Sequence, residues 1–222
     1  MKPLIIPTIL VQTEQEAETR FQLLGRAAKW VQWDINDRTL TPTTNWADAA
    51  TVRHWKLFPS IELHLMVHQP EPVIQRWRTI KNVRRVMWHI EAPIDHKKLI
   101  RQCKRWKLET ALAISPSTPL AALIPFLRTI NSVLVLGVIP GKNGIPLIPE
   151  TVQTVKDLKR IAPRIPIGFD GGITAQNLTR IVRAGATRLN MGSGIFQTAD
   201  PKKTLLRLQK RLSAPRSRKT TK

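Results

Sequence analysis

An alternation that runs from one end of this chain to the other most constrains how it folds. Short β-branched and aliphatic runs are each followed by a stretch whose apolar residues recur at helical spacing. LIIPTIL (4–10) precedes EQEAETRFQLLGRAAK, WVQWDIN (30–36) precedes a helical pattern around ADAATVRHW, and SIELHLM (60–66) precedes EPVIQRWRTI. VRRVMWHIE leads into IDHKKLIRQCKRW, ETALAIS into LAALIPFLRTI, and SVLVLGV into PETVQTVKDLKRIA. IPIGFD before AQNLTRIVRAG and TRLNMGS before PKKTLLRLQKRL complete the series. A strand followed by a crossover helix lays successive strands parallel in one sheet. Eight such units in 222 residues predict an α/β fold, a single closed (β/α)8 TIM barrel, with an open doubly wound sheet as the alternative. Polar residues recur at the ends of nearly every strand, where a barrel aims them at one mouth, and this favours closure. The expected domain is residues 1–212, followed by a basic tail at 213–222 with too few apolar residues to pack.

Bulk properties narrow the setting. No apolar run approaches the roughly 20 residues of a membrane span. Pro7 and Thr8 interrupt the opening LIIPTILV and an acidic amphipathic segment follows, which is unlike a secretory leader and makes the cytoplasm the expected compartment. The single cysteine, Cys103, excludes an intrachain disulfide and leaves no companion for a structural zinc site. Thirty-six Lys and Arg against 15 Asp and Glu give a formal net charge of +21, which implies anionic partners. These are phosphorylated metabolites at a cleft or loosely held RNA; the tail RLSAPRSRKTTK and the run HKKLIRQCKRWK are the candidates for weak nucleic-acid binding. The simplest reading of the second run is a solvated helix face.

Side chains alternate along a strand, so Gln32, Asp34 and Asn36 share one face, as do Glu62, His64 and Met66, and likewise His89 and Glu91. Those faces are expected to point into the barrel. An unpaired buried carboxylate is costly, so Asp34 inside an apolar strand is either paired or employed. Asp170 ends IPIGFD just before Gly171 and Gly172 and places a second carboxylate at the mouth, expected across the barrel from Asp34. Two carboxylates so placed suit acid/base chemistry on opposite faces of one substrate. Gly171 and Gly172 after the seventh strand, and Gly192, Ser193 and Gly194 after the eighth, supply backbone amides where a barrel cradles phosphate, and Gly141 and Gly144 of the sixth loop are expected to close over it. Taken alone, His64 reads more readily as a satisfied core histidine than as a ligand, His89 and Glu91 as a structural pair, Asp37 as a loop cap, and the seven Trp as core and stacking partners.

The stretches IIPTIL, WDINDRTLTPT, ELHLMVHQPE, HIEA, SPSTPL, VIPGKNGIPLIPE, FDGGIT and AGATRLNMGSGIF, in this order over nearly the whole chain, resemble the ribulose-phosphate 3-epimerase family. The resemblance implies a metal-assisted barrel that interconverts D-ribulose 5-phosphate and D-xylulose 5-phosphate, moving a proton at C3 through an enediolate. It implies Asp34 and Asp170 as the proton-transfer pair. It also implies a divalent metal cation (zinc, iron, manganese or cobalt) on Asp34, His64, Asp170 and the position of Gln32, with Thr8, His64 and Met66 against a phosphorylated pentulose.

The chain departs from the family's pattern at several positions. Gln32 stands where the family has a histidine ligand, and an amide oxygen is a poorer ligand for zinc or iron than imidazole nitrogen. An Asp, Asp, His, Gln set would suit manganese or magnesium through oxygen, or Gln32 would donate directly to an oxyanion. Thr8 replaces a serine and keeps the hydroxyl, Asn36 replaces a methionine, Arg38 a glycine and Gly137 a serine, and the sixth loop is thinned to PGKNG. Three alternatives follow: an allulose 6-phosphate epimerase, a hexulose-phosphate synthase, or a catalytically degenerate basic barrel that binds anions. The synthases' second strand carries a lysine between two acids where this chain has Ile35 and Asn36, which argues against them. A homo-oligomer is compatible with all of these.

Overall fold

The alternation becomes eight strands: β1 (Leu4–Ile9), β2 (Trp30–Asn36), β3 (Ser60–Met66), β4 (Val83–His89), β5 (Glu109–Ile114), β6 (Ser132–Leu136), β7 (Ile167–Asp170) and β8 (Arg188–Met191). Each pairs in parallel with the next and β8 returns to β1, so the sheet closes into a barrel and leaves no edge. This computed structural model describes residues 2–140 and 145–213. Gly141, Gly144 and the tail from residue 214 onward lie outside the described residues, whereas Ser213, expected to begin the tail, ends the last helix.

The covering helices are α1 (Glu14–Leu24), α2 (Ala49–Val52), α3 (Pro70–Trp77), α4 (His96–Arg105), α5 (Glu150–Ile161), α6 (Leu178–Ala184), α7 (Ser193–Phe196) and α8 (Pro201–Ser213). Short polar side chains start them where the first backbone N–H groups lack partners: Thr13 Oγ1 accepts from Glu16 N at 3.2 Å, and Asp95 Oδ1 from Lys98 N at 2.9 Å. In α4 the 3.6-residue period buries Leu99, Ile100 and Cys103 and leaves Lys97, Lys98, Arg101, Lys104 and Arg105 exposed, so the basic run is a solvated face.

Two expected helices are reduced. ADAATVRHW yields one turn, and LAALIPFLRTI forms a 3₁₀ run over Leu120–Phe126 because Pro125 has no N–H to continue an α-helical ladder.

Outward-facing strand residues and the helices enclose the main core. Trp33 is fully buried there against Phe21, Trp46, Trp55 and Trp77, with ring centroids 5.1 to 6.0 Å apart. Inside the barrel the alternate residues divide by polarity. Met87, Ala111, Ala113, Leu134 and Leu136 make an apolar plug on the β4–β6 side. Parallel register levels Gln32 with Glu62 and Arg85, and one layer higher Asp34 with His64 and Met87. The polar half of the interior thus lies off-centre, on the side of β7, β8, β1, β2 and β3, with Arg85 and His89 of β4 extending it around Met87.

Candidate active site

A cleft of about 600 Å³, counting space open to solvent, lies at the C-terminal ends of the strands. Thr8, Asp34, His64, Met66, Asp170, Gly171, Gly172, Gly192 and Ser193 all line it. Gln32 is fully buried beneath them. Gly194, expected in the phosphate cradle, instead lines a separate surface cavity with Thr174 and Arg207.

Asp34 and Asp170 do not face each other across the full barrel, as expected from their strands. Closure puts only β1 and β8 between β2 and β7, and the two carboxylates converge with His64 so that one ligand atom from each lies within 4.8 Å of the others. Gln32 Nε2 donates to Asp34 Oδ1 at 2.8 Å and to Asp170 Oδ2 at 2.6 Å. His64 Nδ1 lies 3.1 Å from the same Asp34 oxygen and 3.5 Å from the same Asp170 oxygen. Two nitrogens and two carboxylate oxygens therefore alternate around a closed ring of four atoms.

Burial pushes the Asp34 carboxyl up to about 6, against the opposing pull of His64. Burial also works against charge on His64, but its bonds to Asp170 and Asp34 outweigh it and raise the imidazole to about 9. Behind His64 the chain of contacts continues: His64 Nε2 meets His89 Nε2 at 3.0 Å, and His89 Nδ1 meets Glu91 Oε2 at 3.1 Å. His89 and Glu91 do pair, as their spacing suggested, and the pair supports His64 from behind. Burial pushes the His89 imidazole down. Burial would raise Glu91, but His89, the Thr118 hydroxyl and the Ser115 N–H hold it at about 2.

Below the ring lies a group that sequence reasoning missed. Asn190 Nδ2 donates to Gln32 Oε1 and to Glu62 Oε1, both at 2.6 Å. Arg85 and Arg188 donate to the other Glu62 oxygen at 2.9 and 2.6 Å, and both guanidinium groups stack on Trp30. The sequence held one signal, since Glu62 shares the face of His64 and so had to find a cation inside the barrel.

The loop after β7 needs its glycines. Gly171 and Gly172 have φ of +96° and +65°, and a β-carbon at Gly172 would approach the Leu147 backbone to 2.6 Å. Thr8, 4% exposed, points a hydroxyl with no hydrogen-bond partner among the described residues at a position that borders the cleft.

Residues 4–196 match the model of the Ribulose-phosphate 3 epimerase family. The chain belongs to the ribulose-phosphate 3-epimerase family. It is 25% identical to the ribulose-phosphate 3-epimerase of Schizosaccharomyces pombe over 188 residues, 83% of this chain and 82% of that one. Its identity to the Escherichia coli K12 ribulose-phosphate 3-epimerase is also 25%, over 95% of this chain and 96% of the other. The fold is similar to that of 3-hexulose-6-phosphate synthase from Salmonella typhimurium, with a TM-score of 0.72 at 15% identity over 96% and 98% of the two chains. Among the described residues no helix is long and apolar enough to cross a membrane.

The ribulose-phosphate 3-epimerase resemblance carries a divalent cation, and three donors fit one: Asp34, His64 and Asp170 converge as ligands must. The fourth does not. Gln32 turns its NH2 group, which cannot ligate, toward the two carboxylates.

Proposed function

We propose that this chain is an isomerase that interconverts D-ribulose 5-phosphate and D-xylulose 5-phosphate by proton transfer at C3. The observation that carries this reading is the pair Asp34 and Asp170, two carboxylates at one cleft held by a common Gln32 nitrogen. The C3 proton is acidified by the neighbouring C2 carbonyl, so a carboxylate can remove it and leave an enediolate. Inversion requires that the proton return from the opposite face, hence a second carboxyl group. One of the pair starts ionised and the other protonated; turnover exchanges these states, and the reverse reaction starts from the exchanged pair. A raised Asp34 suits a group that passes a proton near neutral pH.

The negative charge that develops on the C2 oxygen needs donors. The Thr8 hydroxyl, which has no partner among the described residues, stands at the cleft for that purpose. The His64 imidazole in the same cleft, held charged by Asp170 and Asp34 against its burial, lends positive charge. A divalent ion, where bound, would sit on Asp34, His64 and Asp170 and supply Lewis acidity. Met66 packs against the sugar. The backbone of Gly171, Gly172, Gly192 and Ser193 takes the phosphate, and the cationic surface concentrates that dianion.

A coupled assay with ribulose 5-phosphate tests the reading, with allulose 6-phosphate in parallel and Asp170→Asn as control. Pentulose turnover that vanishes in the control supports it. Preference for the hexulose phosphate moves the substrate assignment, and folded protein without turnover on either moves the chain to an anion-binding role.

A further inference from the structure

The direction in which the Gln32 amide faces is set from beneath. Glu62 is 1% exposed and accepts from two guanidinium groups, which are donors only. Its remaining oxygen takes a hydrogen from Asn190 Nδ2, so Asn190 must present its NH2 group there. The second hydrogen of that NH2 goes to Gln32 Oε1. Gln32 is left with two N–H bonds aimed upward, and each meets a carboxylate oxygen. Reversing Gln32 would set its NH2 against that of Asn190 and its oxygen against Asp34 and Asp170. Reversing both amides would set Asn190 Oδ1 against Glu62. Asn190 Oδ1 is itself buried with no partner among the described residues, which shows what the arrangement gives up to spend both hydrogens on acceptors.

The ring above completes the case. Asp34 Oδ1 and Asp170 Oδ2 are the carboxylate oxygens that face His64 Nδ1, and both already receive hydrogens from Gln32. We propose that Gln32 is a positioning residue whose amide, locked by Asn190 and Glu62, bridges Asp34 and Asp170 in the place of a divalent cation, so that the site works without a resident metal. That the site works rests on the epimerase reading; that it does not retain a metal is independent of it.

The test uses the full chain, wild type and Gln32→Glu, an isosteric change that turns two donors into an acceptor facing two carboxylates. Cobalt(II) is titrated into each, followed by its visible absorption and by competition with a chromophoric chelator, and folding is checked by circular dichroism. Wild type is expected to bind cobalt weakly and to keep its turnover after chelator treatment. Gln32→Glu is expected to bind an ion about 10- to 100-fold more tightly, the range over which groups behind a ligand tune affinity. Its turnover should fall on chelation and return with manganese. Asn190→Leu, which frees Gln32 to turn, is expected to tighten cobalt about tenfold on the same grounds. Tight stoichiometric cobalt on wild type, or chelator-sensitive wild-type turnover, overturns the proposal, and the wild-type titration decides even if a variant does not fold. Absent turnover with weak wild-type binding and tight Gln32→Glu binding removes the epimerase reading and leaves the bridge standing.

Discussion

His64 and His89 meet through their Nε2 atoms at 3.0 Å, with rings stacked 15° from parallel. One proton serves that contact, and burial, which pushes His89 down, makes His89 the acceptor. Its Nδ1–H is then committed to Glu91. His89→Phe keeps the ring and deletes both bonds, leaving His64 and Glu91 each short of a partner. It is expected to cost about 1–3 kcal/mol for the orphaned, buried His64 N–H, read from urea unfolding. The cost is less at Glu91, which is half-buried and keeps its bonds from Ser115 and Thr118. His89→Gln, which can donate and accept, should recover part of the loss.

The alkaline limb of stability follows from His64. Its folded value of about 9 lies above the ordinary 6.5, so the stability it contributes is full below about pH 6.5 and is lost as pH rises through 9. Unfolding of metal-free protein at pH 6 and pH 9.5, on the scale set by these values, should show a decline in wild type that His64→Gln flattens.

Glu91 acts at the other end with the opposite sign. Its folded value near 2 lies below the ordinary 4.5, so its contribution is present above 4.5 and is lost as pH falls toward 2. The shift corresponds to at most about 3 kcal/mol. Glu91→Gln should be less stable than wild type at pH 7 and should approach it near pH 2, as a denaturation series in acid would record.

Removing either carboxylate should stop the proposed chemistry without unfolding the barrel. Asp34→Asn and Asp170→Asn are each expected to lower kcat roughly 10²–10⁴-fold, the usual worth of a positioned acid or base. Solvent-deuterium exchange at C3 separates them. The variant that keeps the base for a given substrate should still wash deuterium into that substrate without inverting it.

Gly172→Ala tests the phosphate loop. The φ of +65° costs an L-residue about 1–2 kcal/mol, and the added methyl meets the Leu147 backbone. A higher KM for the sugar phosphate with a smaller change in kcat is the expected kinetic signature.

Much of this was legible along the chain. Strand period and helix period alternate eight times, which predicts a parallel α/β sheet, and the polar residues at the strand ends favour closing it into the observed barrel over an open doubly wound sheet. The face shared by Gln32 and Asp34, and the one shared by Glu62 and His64, follow from side chains alternating along a strand. Pro125 shows how a local feature can still mislead, since the apolar spacing around it reads as α-helix and the missing N–H makes it 3₁₀.

What the one-dimensional pattern left undecided is who meets whom across the closed sheet. Gln32 bonds Asp170 over 138 residues and Asn190 over 158, and Glu62 bonds Arg188 over 126. Alternation says which way each side chain points but not its height or its neighbour around the ring. Those depend on the stagger with which β8 pairs with β1 as the barrel closes. The sequence by itself therefore determined the barrel, the two carboxylates at its mouth and the replacement of a histidine by Gln32. Only the tertiary structure decided which end of the Gln32 amide faces them, because an amide's polarity is set by partners that closure alone brings within reach.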